Sequence, residues 1–212
     1  MPPNLLVSWR GLRSRILANA TLHPTIPDYI SWGEFNKDPG RNPAIEDKMG
    51  EILAYVFSAF QPTHILGILD AGAGLAQAVS RHLPAPEITY AIKYVNPPVE
   101  HDGIVVEGRS YKTQGRCWFG VPNFAEGSAV LVIDDVAARY GAGGPVLGAV
   151  SGQSGVRVAW GVGMDKDYQG WVEQHGTGHP DVPAFSVVRV AEIDNAAGQF
   201  CLMAEREALR VI

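Results

Sequence analysis

Two adjacent carboxylates, Asp134 and Asp135, form the part of the sequence with the clearest chemical potential. They follow an apolar run at 129–133, and a glycine-rich turn into a short helical pattern comes after them. Ligands of open α/β sheets bind beyond the carboxyl ends of the strands, and such a turn presents N–H groups to phosphate. Paired carboxylates can hold sugar hydroxyls or a hydrated Mg²⁺. The pattern predicts a ribose 5-phosphate site; the alternative is that both acids only cap and turn the chain.

The turn after the acidic pair lacks hydroxyl side chains. We expect the phosphate to be bound there by the residues Ala138, Arg139, Tyr140, Gly141 and Ala142. No serine or threonine lies between Asp135 and Ser151, so the phosphate would depend on backbone amides and on the Arg139 guanidinium, which can make charge-assisted hydrogen bonds. In the competing interpretation, Arg139 points to solvent and Tyr140 blocks the site.

A second loop of small residues follows the apolar run at 64–69. It opens with Asp70, Ala71 and Gly72, and small residues at such a point let backbone N–H groups approach an anion closely. Turns of this kind are common and mostly structural. The loop is not a dinucleotide fingerprint, because Gln77 stands where a third glycine would be needed.

Two further features contain groups that could do chemistry. Lys93 follows the apolar run at 87–92, and its ammonium could neutralise charge on a leaving group or lie at the surface as an ordinary lysine. His175 and His179 stand four residues apart, which suggests a metal site when it occurs on a helix. Glycines and a proline interrupt this stretch, which predicts a solvated loop instead.

The elements that must position these residues alternate between strands and helices. The expected strands are 64–69, 87–92, 129–133, 156–164 and 185–190, and the expected helices are 4–17, 43–60, 75–83, 146–150 and 168–174. The segment 93–127 predicts a loop with a β-hairpin. Because strand, loop and helix follow one another repeatedly, we expect an α/β fold with a mostly parallel sheet and flanking helices.

Composition limits the class of protein. Apolar residues make up 46% of the 212 residues and charged residues 18%, which is typical of a globular chain, and Cys117 and Cys201 lie in apolar surroundings that predict buried free thiols. The net charge of −5 argues against a nucleic-acid binder, since the only basic cluster is Arg10–Arg15. No secretory leader and no apolar stretch of about eighteen residues is present, so we expect no membrane span and a cytoplasmic location.

The stretch 130–136, Val-Leu-Val-Ile-Asp-Asp-Val, resembles the diphosphoribose-binding signature of the type I phosphoribosyltransferases. The stretches 161–169 and 185–193 are similar to the C-terminal part of the xanthine phosphoribosyltransferases. The N-terminal layout, up to the helix ending near Phe60, fits as well. The resemblance covers nearly the whole chain, and the acidic pair is its most specific part.

This resemblance implies a fold and a reaction. The chain would be one domain over 1–212, a parallel sheet flanked by helices with a small hood formed by about 18–42 and 165–212. It would transfer the 5-phosphoribosyl group from 5-phosphoribosyl-1-diphosphate to a ring nitrogen of a purine base such as xanthine, releasing pyrophosphate, as in purine salvage. Mg²⁺ would be bound mainly through the diphosphate, and the protein would be a homodimer.

The resemblance also implies roles for single residues. The loop Asp70–Gly72 would bind pyrophosphate, and Lys93 would join the acidic pair in catalysis. Lys166 and Tyr168 would line the acceptor pocket, because a lysine donates to an oxo group and an aromatic ring stacks on a heterocycle. The amide of Asn36 would contact the base edge.

Two departures from the family pattern keep other functions open. The turn at 138–142 lacks the usual threonine or serine, and Ile92 stands where the xanthine enzymes tend to be basic. One alternative is a phosphoribosyltransferase-like enzyme that acts on a non-purine acceptor in a specialised biosynthetic pathway. The other is a non-catalytic regulator that uses the phosphosugar site as a sensor.

Overall fold

The computed structural model describes residues 1–22, 30–31, 43–69, 72–110, 115–137, 140–166 and 171–211. Within these ranges the helices are α1 (Pro3–Asn19), α2 (Pro43–Val56), α3 (Gly72–Ser80), α4 (Gly143–Ser151), α5 (Trp171–Gly178) and α6 (Glu205–Ala208). The strands are β1 (Thr21–Leu22), β2 (Ile30–Ser31), β3 (His64–Ile68), β4 (Glu87–Tyr94), β5 (Ile104–Arg109), β6 (Arg116–Val121), β7 (Ala129–Ala137), β8 (Arg157–Lys166), β9 (Ala184–Asp194) and β10 (Gln199–Leu202). None of these helices combines the length and the apolar character that a membrane span requires.

Eight strands form one sheet in the order β10-β9-β8-β7-β3-β4-β6-β5. The five strands from β9 to β4 in this order pair in parallel, whereas β10 and the hairpin β5–β6 pair antiparallel at the two edges. The predicted α/β fold with a parallel sheet is confirmed, as is the hairpin within 93–127. The chain leaves β3 towards β4 on one side and returns to β7 on the other, so β3 and β7 flank a topological switch point.

Helices cover both faces of the sheet. On one face, residues of α1, α2 and α3 share a core cluster with Leu131 and Ile133 of β7; on the other, residues of α4 share a second cluster with Val130 and Val132. A strand buried on both faces needs apolar residues at successive positions, which explains the uninterrupted run in β7.

Among the element boundaries that differ from the predicted ones, three lie at the acidic pair or near it. β7 continues through the acidic pair to Ala137, α3 begins at Gly72, and β8 continues beyond Met164 to Lys166. β8 is longer than its apolar run because β7 and β9 flank it and provide backbone partners for its last residues. Apolar patterning therefore marks the buried length of a strand and not its full paired length.

The two cysteines have different surroundings. Cys117 on β6 is buried, as predicted, whereas Cys201 on β10 is exposed. The prediction for Cys201 is wrong because β10 is an edge strand, whose residues alternate between partly buried and exposed positions.

Candidate functional site

The first residue of α3 lies against the end of β7 at the switch point. A Cβ on Gly72 would stand 2.9 Å from the Ile133 carbonyl oxygen and 3.4 Å from the Asp134 Cα. An approach this close to a backbone atom leaves no room for a side chain, which is why the sequence has glycine here. The amino end of α3 and the acidic pair therefore belong to one site. Asp70 and Ala71, predicted to bind pyrophosphate, lie outside the described residues.

The acidic pair is protected from solvent and electrostatically strained. Asp134 is 6% exposed and Asp135 is half-buried. Burial raises the pKa of Asp134 well above its usual range, and the neighbouring Asp135 carboxylate raises it further. Both effects favour the neutral form of the Asp134 carboxyl over its ionised form.

The turn after the acidic pair leads into α4 as the sequence predicted. We call residues 138–142 the phosphate turn; of these, Tyr140, Gly141 and Ala142 are described. α4 begins at Gly143, and its cap residue Ala142 makes no side-chain hydrogen bond to the helix. The first N–H groups of a helix have no partners within the helix and favour an anion.

Tyr140 adopts a left-handed backbone conformation with φ of 55°. Its hydroxyl hydrogen-bonds the Nδ1 of His175 at 2.9 Å, and its ring packs edge-on against Trp160 at a centroid distance of 5.4 Å. The ring joins the core cluster on the α4 face of the sheet. This position argues against the interpretation in which Tyr140 blocks the site.

The prediction that His175 lies in a solvated loop is wrong. His175 is on α5 and only 1% exposed, and its Nε2 contacts the Val182 carbonyl oxygen at 2.6 Å. Burial lowers the pKa of His175, and the nearby His179 lowers it further. Glycines did not break this helix, because Tyr140 and Trp160 pack against the His175 ring and hold it in the core.

The β5–β6 hairpin brings Lys93 near the phosphate turn. The Arg109 N–H donates to the Gly141 carbonyl oxygen at 3.0 Å, and Lys93 Nζ donates to Ser110 Oγ at 3.3 Å. Gly108 has no side chain to hinder this contact: a Cβ there would lie 2.8 Å from the Gly141 oxygen. Ser110, which the sequence alone did not indicate, fixes the Lys93 ammonium by accepting this hydrogen bond.

Lys166 lies at the same edge of the sheet, but inside the protein. Residue pairing sets Ala137 of β7 opposite Asp165 of β8, so Lys166 is one residue beyond the end of β7. Lys166 is only 1% exposed, and it belongs to β8, whereas the predicted strand ended at residue 164. Its side chain is therefore enclosed by protein.

A buried ion pair stands directly beside Lys166. Arg189 Nε lies 3.0 Å from Asp165 Oδ2, and both residues pair across β8 and β9. The sequence analysis missed this pair, although an arginine within the apolar run 185–190 was a signal for it.

Four further predicted contact residues lie outside the described residues: Asn36, Ala138, Arg139 and Tyr168. Their roles stay predictions. Within the described ranges, no cluster of three or more histidine, cysteine, aspartate or glutamate side chains could hold a metal ion.

No protein-family model matches the chain, and no curated protein matches it in sequence. Its fold, in contrast, matches many solved structures and is that of the type I phosphoribosyltransferases.

The solved structures that it resembles include adenine phosphoribosyltransferases from three organisms. That of Giardia lamblia, complexed with 9-deazaadenine, has a TM-score of 0.66 and 17% identity, over 86% of this chain and 98% of that one. That of Trypanosoma brucei, in complex with AMP, pyrophosphate and ribose-5-phosphate, has a TM-score of 0.65 and 18% identity, over 84% and 79%. That of Rhodothermus marinus has a TM-score of 0.64 and 16% identity, over 87% and 99%.

Proposed function

We propose that this protein is a phosphoribosyltransferase that transfers the 5-phosphoribosyl group from 5-phosphoribosyl-1-diphosphate to a ring nitrogen of a purine base. One observation carries the proposal: the buried acidic pair at the end of β7 lies between two helix starts, those of α3 and α4. Each helix start suits a phosphate, and the acids between them suit sugar hydroxyls. A ligand with phosphates at both ends of a ribose fits this order of groups.

The reaction exchanges one bond at the anomeric carbon. The bond from this carbon to the diphosphate oxygen breaks, and its electron pair leaves with pyrophosphate. The lone pair of the ring nitrogen forms the new bond, and the nitrogen releases its proton. Because positive charge develops on the sugar in between, catalysis depends on positioning and on stabilising the leaving group, and needs no protein nucleophile.

Each described site residue has a part in this scheme. Asp134 and Asp135 hold the ribose hydroxyls through hydrogen bonds. The amino end of α3 at Gly72 faces the diphosphate, and the phosphate turn receives the 5-phosphate. Lys93, held by Ser110, stabilises the charge that develops on the pyrophosphate.

The donor set suits Mg²⁺ only in part. Carboxylate oxygens are the ligands that Mg²⁺ prefers, but Asp134 and Asp135 are only two, and the raised pKa of Asp134 disfavours its ionised form. The acidic pair would therefore hold the ion together with substrate oxygens, and the diphosphate would supply most of the ligands. When bound there, Mg²⁺ would neutralise charge on the diphosphate.

Lys166 favours a 6-oxopurine such as xanthine as the acceptor. A lysine ammonium has three donors and no acceptor, so it suits the 6-oxo group and not the 6-amino group of adenine. The structural neighbours are adenine enzymes, which makes adenine the competing acceptor.

The test is pyrophosphate release from 5-phosphoribosyl-1-diphosphate and Mg²⁺ with xanthine, guanine, hypoxanthine, adenine or orotate. We expect release with at least one 6-oxopurine. Release with adenine alone would overturn the choice of acceptor, and release with orotate alone would indicate a non-purine acceptor. Tight diphosphoribose binding without any turnover would indicate a sensor.

A pair of variants tests the acidic pair. Asp134→Asn combined with Asp135→Asn should abolish diphosphoribose binding in calorimetry while the protein stays folded. Asp181→Asn is the matched control, since Asp181 is exposed and lies before the amino end of β9, whereas the acidic pair lies towards the carboxyl end of β7. Equal affinity of the double variant and this control would refute the role of the acidic pair.

A further inference from the structure

Two histidines that the proposed reaction does not use contact the phosphate turn and the start of α4. His175 contacts the Tyr140 hydroxyl, and His179 Nε2 lies 3.1 Å from the Gly144 carbonyl oxygen. His175 and His179 stand one helical turn apart, so both rings face the same neighbours. One contact reaches the turn itself, and the other reaches the first turn of α4.

The hydrogen bonds of His175 fix its tautomer. A carbonyl oxygen only accepts, so the nitrogen that faces Val182, Nε2, must carry a proton. In the neutral ring Nδ1 is then an acceptor, and the Tyr140 hydroxyl donates to it. The same argument makes His179 Nε2 the donor to Gly144.

The Tyr140 side chain holds a backbone that is unfavourable for tyrosine. A left-handed φ is rare for residues other than glycine, asparagine and aspartate, and it persists when surrounding contacts enforce it. Those contacts are His175, Trp160 and the first turn of α4, where a Cβ on Gly144 would collide with the Tyr140 ring. Gly141, the next residue, accepts the Arg109 N–H and so is fixed from its other side.

We propose that His175 is a positioning residue, which through the Tyr140 hydroxyl holds residues 140–142 of the phosphate turn in place for anion binding. The inference rests on the proposed function, because it assigns the 5-phosphate of the sugar to this turn. Loss of the hydroxyl releases the turn from α5 without removing any group that touches the ligand. The effect is therefore confined to ligands with a 5-phosphate.

The test compares binding of ribose 5-phosphate and of inorganic pyrophosphate, with Mg²⁺ present. Tyr140→Phe keeps the ring and removes one hydrogen bond, so it should weaken ribose 5-phosphate about three- to tenfold and leave pyrophosphate unchanged. Tyr94→Phe is the matched control, because the hydroxyl of Tyr94 on β4 also faces a histidine Nδ1, that of His101, at 3.4 Å. We expect no change in this control.

A pH profile separates positioning from general stability. The titratable groups facing the His175 ring are Tyr140 from the turn and His179, one residue beyond the end of α5. A protonated His175 has no acceptor for the hydroxyl, so wild-type affinity for ribose 5-phosphate should fall in acid. His175→Gln offers an amide oxygen and N–H in place of the ring and does not titrate. Its affinity should stay near wild type at neutral pH and follow only the titration of the ligand phosphate.

Unchanged ribose 5-phosphate affinity in Tyr140→Phe would overturn the positioning role while leaving the proposed function intact. Equal weakening of both ligands would also overturn it, since that pattern indicates a general structural defect. If the wild-type protein binds neither ligand, the proposed function fails together with the inference.

Discussion

The buried ion pair beside Lys166 allows a prediction with a calculable size. Asp165 and Arg189 side chains are 0% and 6% exposed, and their charged atoms lie 3.0 Å apart. Arg189→Met keeps most of the apolar stem but leaves the Asp165 carboxylate in the core without its cation. Removing one partner of a buried pair costs about 3–5 kcal/mol. For a chain of this length, that corresponds to a fall of about 6–20 °C in melting temperature.

An exposed pair in the same protein provides the control. Arg10 and Glu205 lie 2.8 Å apart, but their side chains are 53% and 47% exposed. Solvent screens this pair, so Arg10→Met should cost at most about 1 kcal/mol. Both variants are compared by calorimetry and urea unfolding. The two pairs differ in burial, and Arg189 also donates from Nη1 to the Glu207 carbonyl oxygen at 3.2 Å, so the loss in Arg189→Met includes this hydrogen bond.

A second variant checks the cause of the loss. Adding Asp165→Asn to Arg189→Met removes the buried charge and should recover part of the lost stability, which a double-mutant cycle would report as a coupling energy. The reasoning would be refuted if Arg189→Met cost no more than Arg10→Met, or if the double variant were less stable than Arg189→Met.

Three further predictions concern the site. Asp134→Asn should raise the melting temperature at neutral pH by about 2–4 °C. Burial and the adjacent carboxylate raise the pKa of Asp134, so its ionisation destabilises the folded protein as the pH rises from 3.8. Differential scanning calorimetry at several pH values would show this gain shrinking in acid. Burial lowers the pKa of His175, so the unfolded chain takes up the proton first and the stability of the protein should fall as pH drops below 6.5. Urea unfolding of His175→Gln should show a shallower decline than the wild-type protein. An identical decline in both proteins would contradict this assignment. Gly72→Ala should cost about 1–3 kcal/mol, because its Cβ would meet the Ile133 carbonyl oxygen. Gly11→Ala, in open space on α1, is the control and should stabilise the protein by about 0.5–1 kcal/mol. Equal free energies of unfolding for the two variants would show that the start of α3 is not tightly packed.

Local patterns were enough to find the central part of the site. The acidic pair follows a run of five apolar residues, and glycine-rich turns follow both β3 and β7, so neighbouring residues alone indicated strand, turn and helix. The parallel sheet followed from the alternation of these units. The strand order supplied what the sequence did not, namely that β3 and β7 are adjacent and bring the two turns together.

Residues that act through distant partners could not be found in this way. The bond between Tyr140 and His175 joins positions 35 apart, and the pair of Asp165 and Arg189 joins positions 24 apart. No local pattern records such pairings, and the glycines around His175 argued for a loop because helix propensity is a weak signal beside burial. Lys166 was misplaced for a related reason, since its strand is extended by neighbours on both sides.

The position of β7 between β3 and β8 has a consequence for how the chain folds. The pairing of β3 with β7 begins where Thr63 contacts Ala129, a residue 66 positions later in the sequence. Strand β4 and the β5–β6 hairpin lie between these two residues in the chain. Contacts over such separations require closure of a long loop before they return any stability, and they slow folding. During synthesis, β3 and β4 can pair as soon as they emerge, but they must wait for β7. The acidic pair therefore reaches its final surroundings only in the second half of translation, and the phosphate turn is fixed later still, when α5 arrives.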